Sequence, residues 1–203
     1  MLNRLYTLIT GKRGKESLRQ VFANPPHIET PRLLLRKMLV SDAMDMYEYS
    51  REPIITQYLT WHPHTSYEQT RDYLKYLQKK YADGSFYDWG IQYKADGKFI
   101  GTCGFTSIDL ANNSAEVGYV LSNKYWGAGL MPEAVMSVLH FGFTTFGFNK
   151  IVGKFMNGND NSCKVMQKCG MTFERTMKNS MFIKGEYKTI HIFSVNKERF
   201  MGT

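Results

Sequence analysis

The stretch Ala115–Leu139, AEVGYVLSNKYWGAGLMPEAVMSVL, limits the folds open to this chain more than any other. Val117–Leu121 is apolar and β-branched and reads as a strand. Ser122, Asn123 and Lys124 turn into a glycine loop, Trp126-Gly127-Ala128-Gly129. A helix follows, with Pro132 near its first position, where a missing N–H costs nothing. Strand, glycine loop and helix start together present free backbone N–H groups and a positive helix end to a phosphate. Two familiar phosphate loops are excluded. The pairs Gly11-Lys12, Gly14-Lys15 and Gly97-Lys98 all lack the Ser or Thr that completes a P-loop. In the dinucleotide fingerprint a third glycine stands where this chain has Pro132, and the loop follows the first strand rather than a run of them.

With 203 residues, 43% hydrophobic and 14% aromatic, the chain can bury one good core, and nothing in it looks like a linker between two. No apolar run reaches the ~20 residues of a membrane span. The opening MLNRLYTLITGKRGK is unlike a signal peptide, because Asn3 and Arg4 break its apolar part and its basic cluster comes afterwards. Cys103, Cys163 and Cys169 are odd in number and not closely paired, which argues against a disulfide framework or a zinc site. A reducing, cytoplasmic setting is expected. The net charge of +8 favours anionic partners such as a phosphate-bearing cofactor, a ribosome or an acidic substrate face, or else marks a solubilising surface.

Residues 1–27 read as a basic N-terminal extension, with Lys12, Arg13, Lys15 and Arg19 before Pro25-Pro26. It is either a polyanion-binding arm or a solvated leader, and a short helix or two docked on the body is the form expected of it. The body, 28–203, reads as one domain. Arg32–Lys37 is a strand; Ser41 caps a helix that Pro53 stops; a second helix runs from Tyr67 to Tyr81. The period then changes to two. Phe86–Lys94 and Phe99–Ile108 form a hairpin about Asp96-Gly97, and the turn Asn112-Asn113 leads into the opening stretch. The helix from Pro132 to Gly147 is apolar around most of its circumference and should pack on the sheet. Lys150–Met156 is a strand, Asn159–Cys169 a short helix capped by Gly170, and Met171–Met177 and Tyr187–Val195 are the closing strands. The order is β α α β β β α β α β β, an α+β pattern with one parallel crossover.

Four blocks, in order over residues 29–195, carry a family likeness. They are Thr30-Pro31-Arg32-Leu33-Leu34-Leu35-Arg36 with Ser41-Asp42-Ala43; Gly101-Thr102-Cys103-Gly104-Phe105; Ala115–Tyr119 through Tyr125–Ala134; and Asn159-Asp160-Asn161-Ser162 with Lys168-Cys169-Gly170-Met171. The chain resembles the GNAT acetyltransferase superfamily, and within it the ribosomal-protein alanine/serine N-acetyltransferase branch. The resemblance implies the GNAT fold, a mixed, mostly antiparallel splayed sheet flanked by helices. It implies acetyl-CoA as co-substrate, lying in the splay between the strand of the opening stretch and the Lys150 strand. Its pyrophosphate would sit on Trp126, Gly127, Ala128, Gly129, Leu130 and Met131, and its pantetheine arm along Val120, Leu121 and Ser122. Trp126 and Met131 depart from the superfamily motif at the two ends of the loop.

Acetyl transfer to an amine requires a neutral amine, a donor to the developing oxyanion and a proton for the departing thiolate. Glu116 is the candidate base, acting directly or through water; burial in an apolar strand would raise its pKa. Its alternative is a solvated or ion-paired strand glutamate. The family pattern implies that Asn159 contacts the pantetheine arm and that Ser162 lies near the sulfur, placed to protonate the thiolate, and both residues also suit a helix cap. Some members of the branch carry a glutamate where spacing here puts Met181. Trp61-His62-Pro63-His64, between the first two helices, is a candidate acceptor wall; His-x-His lacks a third metal ligand, so no metal is expected. Tyr58, Trp89 and Phe105 line the acceptor site or belong to the aromatic core.

The expected activity is acetyl transfer to a primary amine, either the N-terminus of a ribosomal or other protein, or a small molecule such as an aminoglycoside, polyamine or amino-acid derivative. A non-catalytic acyl-CoA- or ribosome-binding module is the competing class. A monomer or homodimer is expected, with no membrane or DNA partner.

Overall fold

A computed structural model describes residues 14–202. The first elements are α1 (Gly14–Ala23), β1 (Ile28–Glu29), β2 (Leu33–Arg36), α2 (Ala43–Ser50), α3 (Pro53–Thr56) and α4 (Tyr67–Ala82). The hairpin strands β3 (Asp88–Tyr93) and β4 (Phe99–Asp109) lead to β5 (Ser114–Leu121) and α5 (Leu130–Thr144). Then come β6 (Lys150–Met156), α6 (Asp160–Lys168), β7 (Thr172–Ile183), β8 (Glu186–Asn196) and α7 (Lys197–Met201). The eight strands form one sheet in the order β1-β2-β3-β4-β5-β6-β8-β7. Every neighbouring pair is antiparallel except β5–β6. A parallel pair needs a crossover, which α5 supplies.

The β5–β6 pair is the feature that makes a site. The two strands pair only from Ser114 to Val117 and from Lys150 to Gly153. Beyond that point β5 follows β4 to Leu121, while β6 follows β8 to Met156. Each strand twists with its own neighbour, so the sheet splays open from Gly118 and Lys154 onward.

Helices cover both faces. Ala134, Val135, Val138, Leu139 and Phe143 of α5 are all buried, the outcome expected from its apolar circumference. On the other face Leu74, Leu77 and Tyr81 of α4 pack with Met46 and Tyr49 of α2. At helical spacing these residues make one stripe. Ser66 caps α4, its hydroxyl accepting from the Gln69 N–H, and Gly84 closes it where a Cβ would lie 2.2 Å from the Arg19 carbonyl oxygen.

Three local expectations are corrected. Asp42 rather than Ser41 organises the entry to α2: its carboxylate accepts the Leu39 N–H at 2.8 Å and pairs in bidentate fashion with Arg36, while Ser41 is exposed. Pro53 starts α3, the position its ring suits, since α2 has already ended at Ser50. Strand β7 continues past Met177 to Ile183 through an irregularity at Met177/Met181, with Asn179 at φ +46. Unlike these three, the helix expected of the 1–27 extension, docked on the body, is present as α1, and it reaches the core. Leu18 is 4% exposed and Phe22 is 0% exposed, with the Phe22 ring 4.9 Å from Tyr87 and 5.2 Å from Trp89. Lys12 and Arg13, the centre of the basic cluster, lie outside the described residues.

Candidate active site

Two cavities open on the splay. The first, about 460 Å³, lies against the glycine loop and α6. Gly127 at φ +80 and Gly129 at φ +74 both take the left-handed conformation. A Cβ at Gly127 would meet nothing within 4 Å, so backbone conformation, not space, demands glycine there. Helix α5 begins at Leu130, so the N–H groups of Leu130 and Met131 have no intrahelical acceptor, and Pro132 has no N–H to leave unsatisfied. Lys164 and Lys168 line the same cavity, with Asp160 the acidic exception.

The loop is pinned from both sides. The Trp126 indole N–H donates to the Leu121 carbonyl at 2.9 Å. Arg32 Nη1 donates to the Ala128 carbonyl at 2.8 Å, and its Nε pairs with Glu133 at 2.6 Å. Burial pushes the Glu133 carboxyl up, but hydrogen bonds from Thr30 and Arg32 outweigh it and hold the group below the usual range. Sequence reasoning missed Arg32, whose partner lies 101 positions away.

Along β5 the alternation of the ladder decides which amides face the splay. The Ser122 N–H donates to the Ile100 carbonyl at 2.8 Å. The amide groups of Val120 therefore also turn toward β4, and those of Tyr119 and Leu121 face the opening. Of the residues predicted for the co-substrate, Val120, Leu121, Trp126, Gly127, Gly129, Leu130, Met131, Asn159 and Ser162 line the first cavity. Ser122 and Ala128 do not, because the Ser122 N–H is used within the sheet and the Ala128 carbonyl by Arg32. Met131 is 5% exposed, so its side chain serves the core while its backbone lies at the helix start.

On α6, Asn159 is the cap predicted for it: its side-chain oxygen accepts the Ser162 N–H at 3.2 Å. The Ser162 hydroxyl is 2.8 Å from the Tyr119 phenol oxygen, across the splay. Burial pushes the Tyr119 phenol well up, so it stays protonated at neutral pH. Sequence periodicity gave no sign of this pair, because Tyr119 reads there as one more strand aromatic.

The second cavity, about 510 Å³, lies on the α2/α4 side. Its floor includes Thr102, Thr106, Glu116 and Gly118, which share one sheet face. The β7–β8 hairpin crosses it, with Met181 and Ile183 in the lining and Lys184 Nζ bonded to the Thr56 carbonyl at 2.6 Å. Met181, the position that the resemblance compares with a glutamate of some branch members, thus faces this cavity. Trp61 and His64 line it, whereas His62 is exposed and does not. His64 Nδ1 lies 2.7 Å from the Thr70 hydroxyl, and burial pushes its pKa down. Glu116 lines this cavity too, ion-paired with Lys154 on β6, so it has a charged partner rather than the apolar surroundings expected of its strand.

Trp89 is not part of the site. It is 0% exposed, donates its indole N–H to the Pro26 carbonyl at 2.9 Å and packs against α1, on the opposite face. Phe105, 3% exposed, belongs to the same core, while Tyr58 lines both cavities. Asp88, which sequence reasoning passed over, lines the second cavity at the start of β3. Burial pushes its carboxyl up to about 7, against hydrogen bonds from Thr102 and the Trp89 N–H.

The two cavities share Tyr58, Leu59, Tyr119, Val120, Asn159 and Ser162. Residues 32–172 match the family described as "Acetyltransferase (GNAT) domain". The chain belongs to the GNAT acetyltransferase family. It is 33% identical to an uncharacterized N-acetyltransferase, p20, of Bacillus licheniformis, over 85% of this chain and 97% of that protein. A GNAT-family acetyltransferase of Bacillus anthracis has the same fold, at a TM-score of 0.76 and 22% identity over 85% of this chain and 99% of that one. RimL, a ribosomal L7/L12 α-N-protein acetyltransferase solved with coenzyme A, superimposes at 0.71 with 22% identity, over 84% of this chain and 98% of that one.

This GNAT enzyme uses acetyl-CoA, which supplies an activated acetyl thioester. The residues present suit such a substrate: a left-handed glycine cradle, unpaired helix-start N–H groups and two lysines for a diphosphate, and an open strand edge for an extended amide-bearing arm. Among the described residues, no helix is long and apolar enough to cross a membrane.

Proposed function

We propose that the enzyme transfers acetyl from acetyl-CoA to a primary amine by direct attack, with both substrates bound at once. The observation that carries this reading is the meeting of the two cavities at Tyr119, Val120, Asn159 and Ser162. Acetyl-CoA enters from the glycine-loop side and the amine from the side of Trp61 and His64. The outward amides of Tyr119 and Leu121 hold the pantetheine arm, and the N–H groups around Gly127–Met131 hold the diphosphate. Glu116 takes the ammonium proton through water in the second cavity, and Lys154 holds its carboxylate in place. Ser162 donates a proton where the sulfur departs, and the Tyr119 phenol bonded to it replaces that proton.

Relatives that act on ribosomal proteins favour a protein N-terminus as a second reading of the acceptor. A screen of small amines and short peptides for acetyl-CoA-dependent release of free thiol tests the activity. Thiol release with at least one amine is expected. Thermal stabilisation by acetyl-CoA without turnover of any amine would leave a non-catalytic acyl-CoA-binding module.

A further inference from the structure

The inner part of the acceptor cavity holds polar groups that the transfer reaction does not use. Asp88 on β3 stands opposite Gly104 on β4, which stands opposite Gly118 on β5. Opposed residues share a sheet face, so neither glycine covers that face with a side chain of its own; the Thr106 methyl lies over Gly118, 2.4 Å from where a Cβ would stand. A Cβ at Gly104 would lie 2.4 Å from the Tyr87 carbonyl oxygen and the Asp88 Cα and 2.6 Å from Asp88 Oδ1, so glycine makes room for both the β3 backbone and that carboxylate. Ser50, at the end of α2, also lines the cavity. It is 1% exposed, and its hydroxyl has no hydrogen-bond partner in the protein. A buried hydroxyl without a partner costs about 1–3 kcal/mol unless something satisfies it.

The charges are as informative. Lys154 is committed to Glu116, which leaves the Asp88 carboxyl as the acidic group of the lining with no ion-pair partner among the described residues. Burial keeps His64 neutral. The recess therefore offers one carboxyl, which a bound cation would hold ionised, in a chain whose net charge is +8. Tyr49, Trp61 and Tyr73 add aromatic surface between its polar ends. An acidic, aromatic-walled recess selects an organic cation.

We propose that this recess seats a second cationic group of the acceptor, which is therefore a small diamine: one amine at the Ser162–Tyr119 junction, the other held by Asp88, two strands over from β5. Ser50 supplies a further hydrogen bond within the recess, and the apolar span of the acceptor lies along the aromatic walls. The proposal rests on the second cavity being the acceptor's, and not on which residue is the base.

The test reads binding without turnover. A ladder of α,ω-diaminoalkanes and the matching 1-aminoalkanes is titrated calorimetrically into protein saturated with coenzyme A. At the best length the diamine should bind about tenfold or more tighter than its monoamine, the worth of a charge-assisted contact. Asp88→Asn, which keeps the size and the acceptor for the Trp89 N–H, should remove most of that preference. Ser50→Ala deletes an atom bonded to nothing in the protein and should reduce it by a smaller factor; it tests the same recess if Asp88→Asn does not fold. Equal binding of diamine and monoamine, an equal loss of both in Asp88→Asn, or a short peptide binding more tightly than every diamine would overturn the proposal. A failure of the transfer reaction would appear separately, as absence of thiol release from any amine.

Discussion

The two cavities that meet at Tyr119 and Ser162 are built from different materials. The glycine-loop cavity offers mainly backbone: two left-handed glycines, a helix start and an open strand edge, with Lys164 and Lys168 beside them. The acceptor cavity offers mainly side chains, drawn from α2, the loop before α4, β3, β4, β5, β6 and the β7–β8 hairpin. A backbone cradle tolerates changes of side chain and keeps one ligand, a diphosphate, through long divergence. A side-chain cavity changes its ligand with a single substitution. Met181 lines this second cavity, so a substitution there changes the surface that a ligand would meet.

If the two cavities are separate in function, perturbing one should leave the other nearly untouched. The largest effect should come from Glu116→Gln, with kcat about a hundredfold lower and acetyl-CoA affinity unchanged, read by thiol release and by titration. An equal loss of acetyl-CoA affinity would break the separation. Next is binding itself: acetyl-CoA at a hundred times its Kd should stabilise the fold by about 2.7 kcal/mol, seen as a rise in Tm, in wild type and in Asp88→Asn alike.

Stability against pH probes the acceptor side alone. The Asp88 carboxyl is raised from 3.8 to about 7 by burial, so it stabilises the fold when protonated, and that contribution is lost as pH rises through 7. Between pH 5 and 8 wild type should lose on the order of 2 kcal/mol on this account, a discounted figure because the cavity admits water. Asp88→Asn should flatten that part of the profile in denaturant melts; an unchanged slope would remove Asp88 as its source.

Gly129→Val places a β-branched residue at φ +74 and should cost about 1–2 kcal/mol, appearing as roughly tenfold weaker acetyl-CoA binding with amine binding preserved. Arg32→Ala should have the smallest effect, about 0.5–1 kcal/mol in acetyl-CoA affinity, because Arg32 is 43% exposed and its pair with Glu133 is screened. A larger loss would show that the pin on Ala128 fixes the loop.

What could be read from the chain followed distance along it. The glycine loop, Pro132 and the Asn159–Ser162 cap each lie within a few residues, and their conformations are set by local sterics and local hydrogen bonds. Trp89 could not be placed that way. Alternation says that it faces one side of β3, but the choice of side was made by Phe22 and the Pro26 carbonyl, from a segment expected to be peripheral. Asp88 begins a strand beside a turn and reads as an ordinary strand-end residue until the opposed glycines are seen. Ser41 and Asp42 are both good caps, and Arg36 and the Leu39 N–H decided for Asp42.

The sequence by itself determined the main strands and helices, because hydrophobic period and turn residues act over short stretches, and its four motif blocks carried the resemblance that implied the splayed α+β sheet and the family; sequence reasoning missed the short elements β1, α3 and α7. The sequence also determined the left-handed glycines and the helix start of the loop, since those conformations are set locally. Only the tertiary structure decided that Tyr119 meets Ser162, that Glu116 is paired with Lys154, and that Ser50 and Asp88 share an acidic recess. Those contacts join residues far apart in the chain, and side-chain burial and ion pairing are properties of the assembled sheet rather than of any one strand.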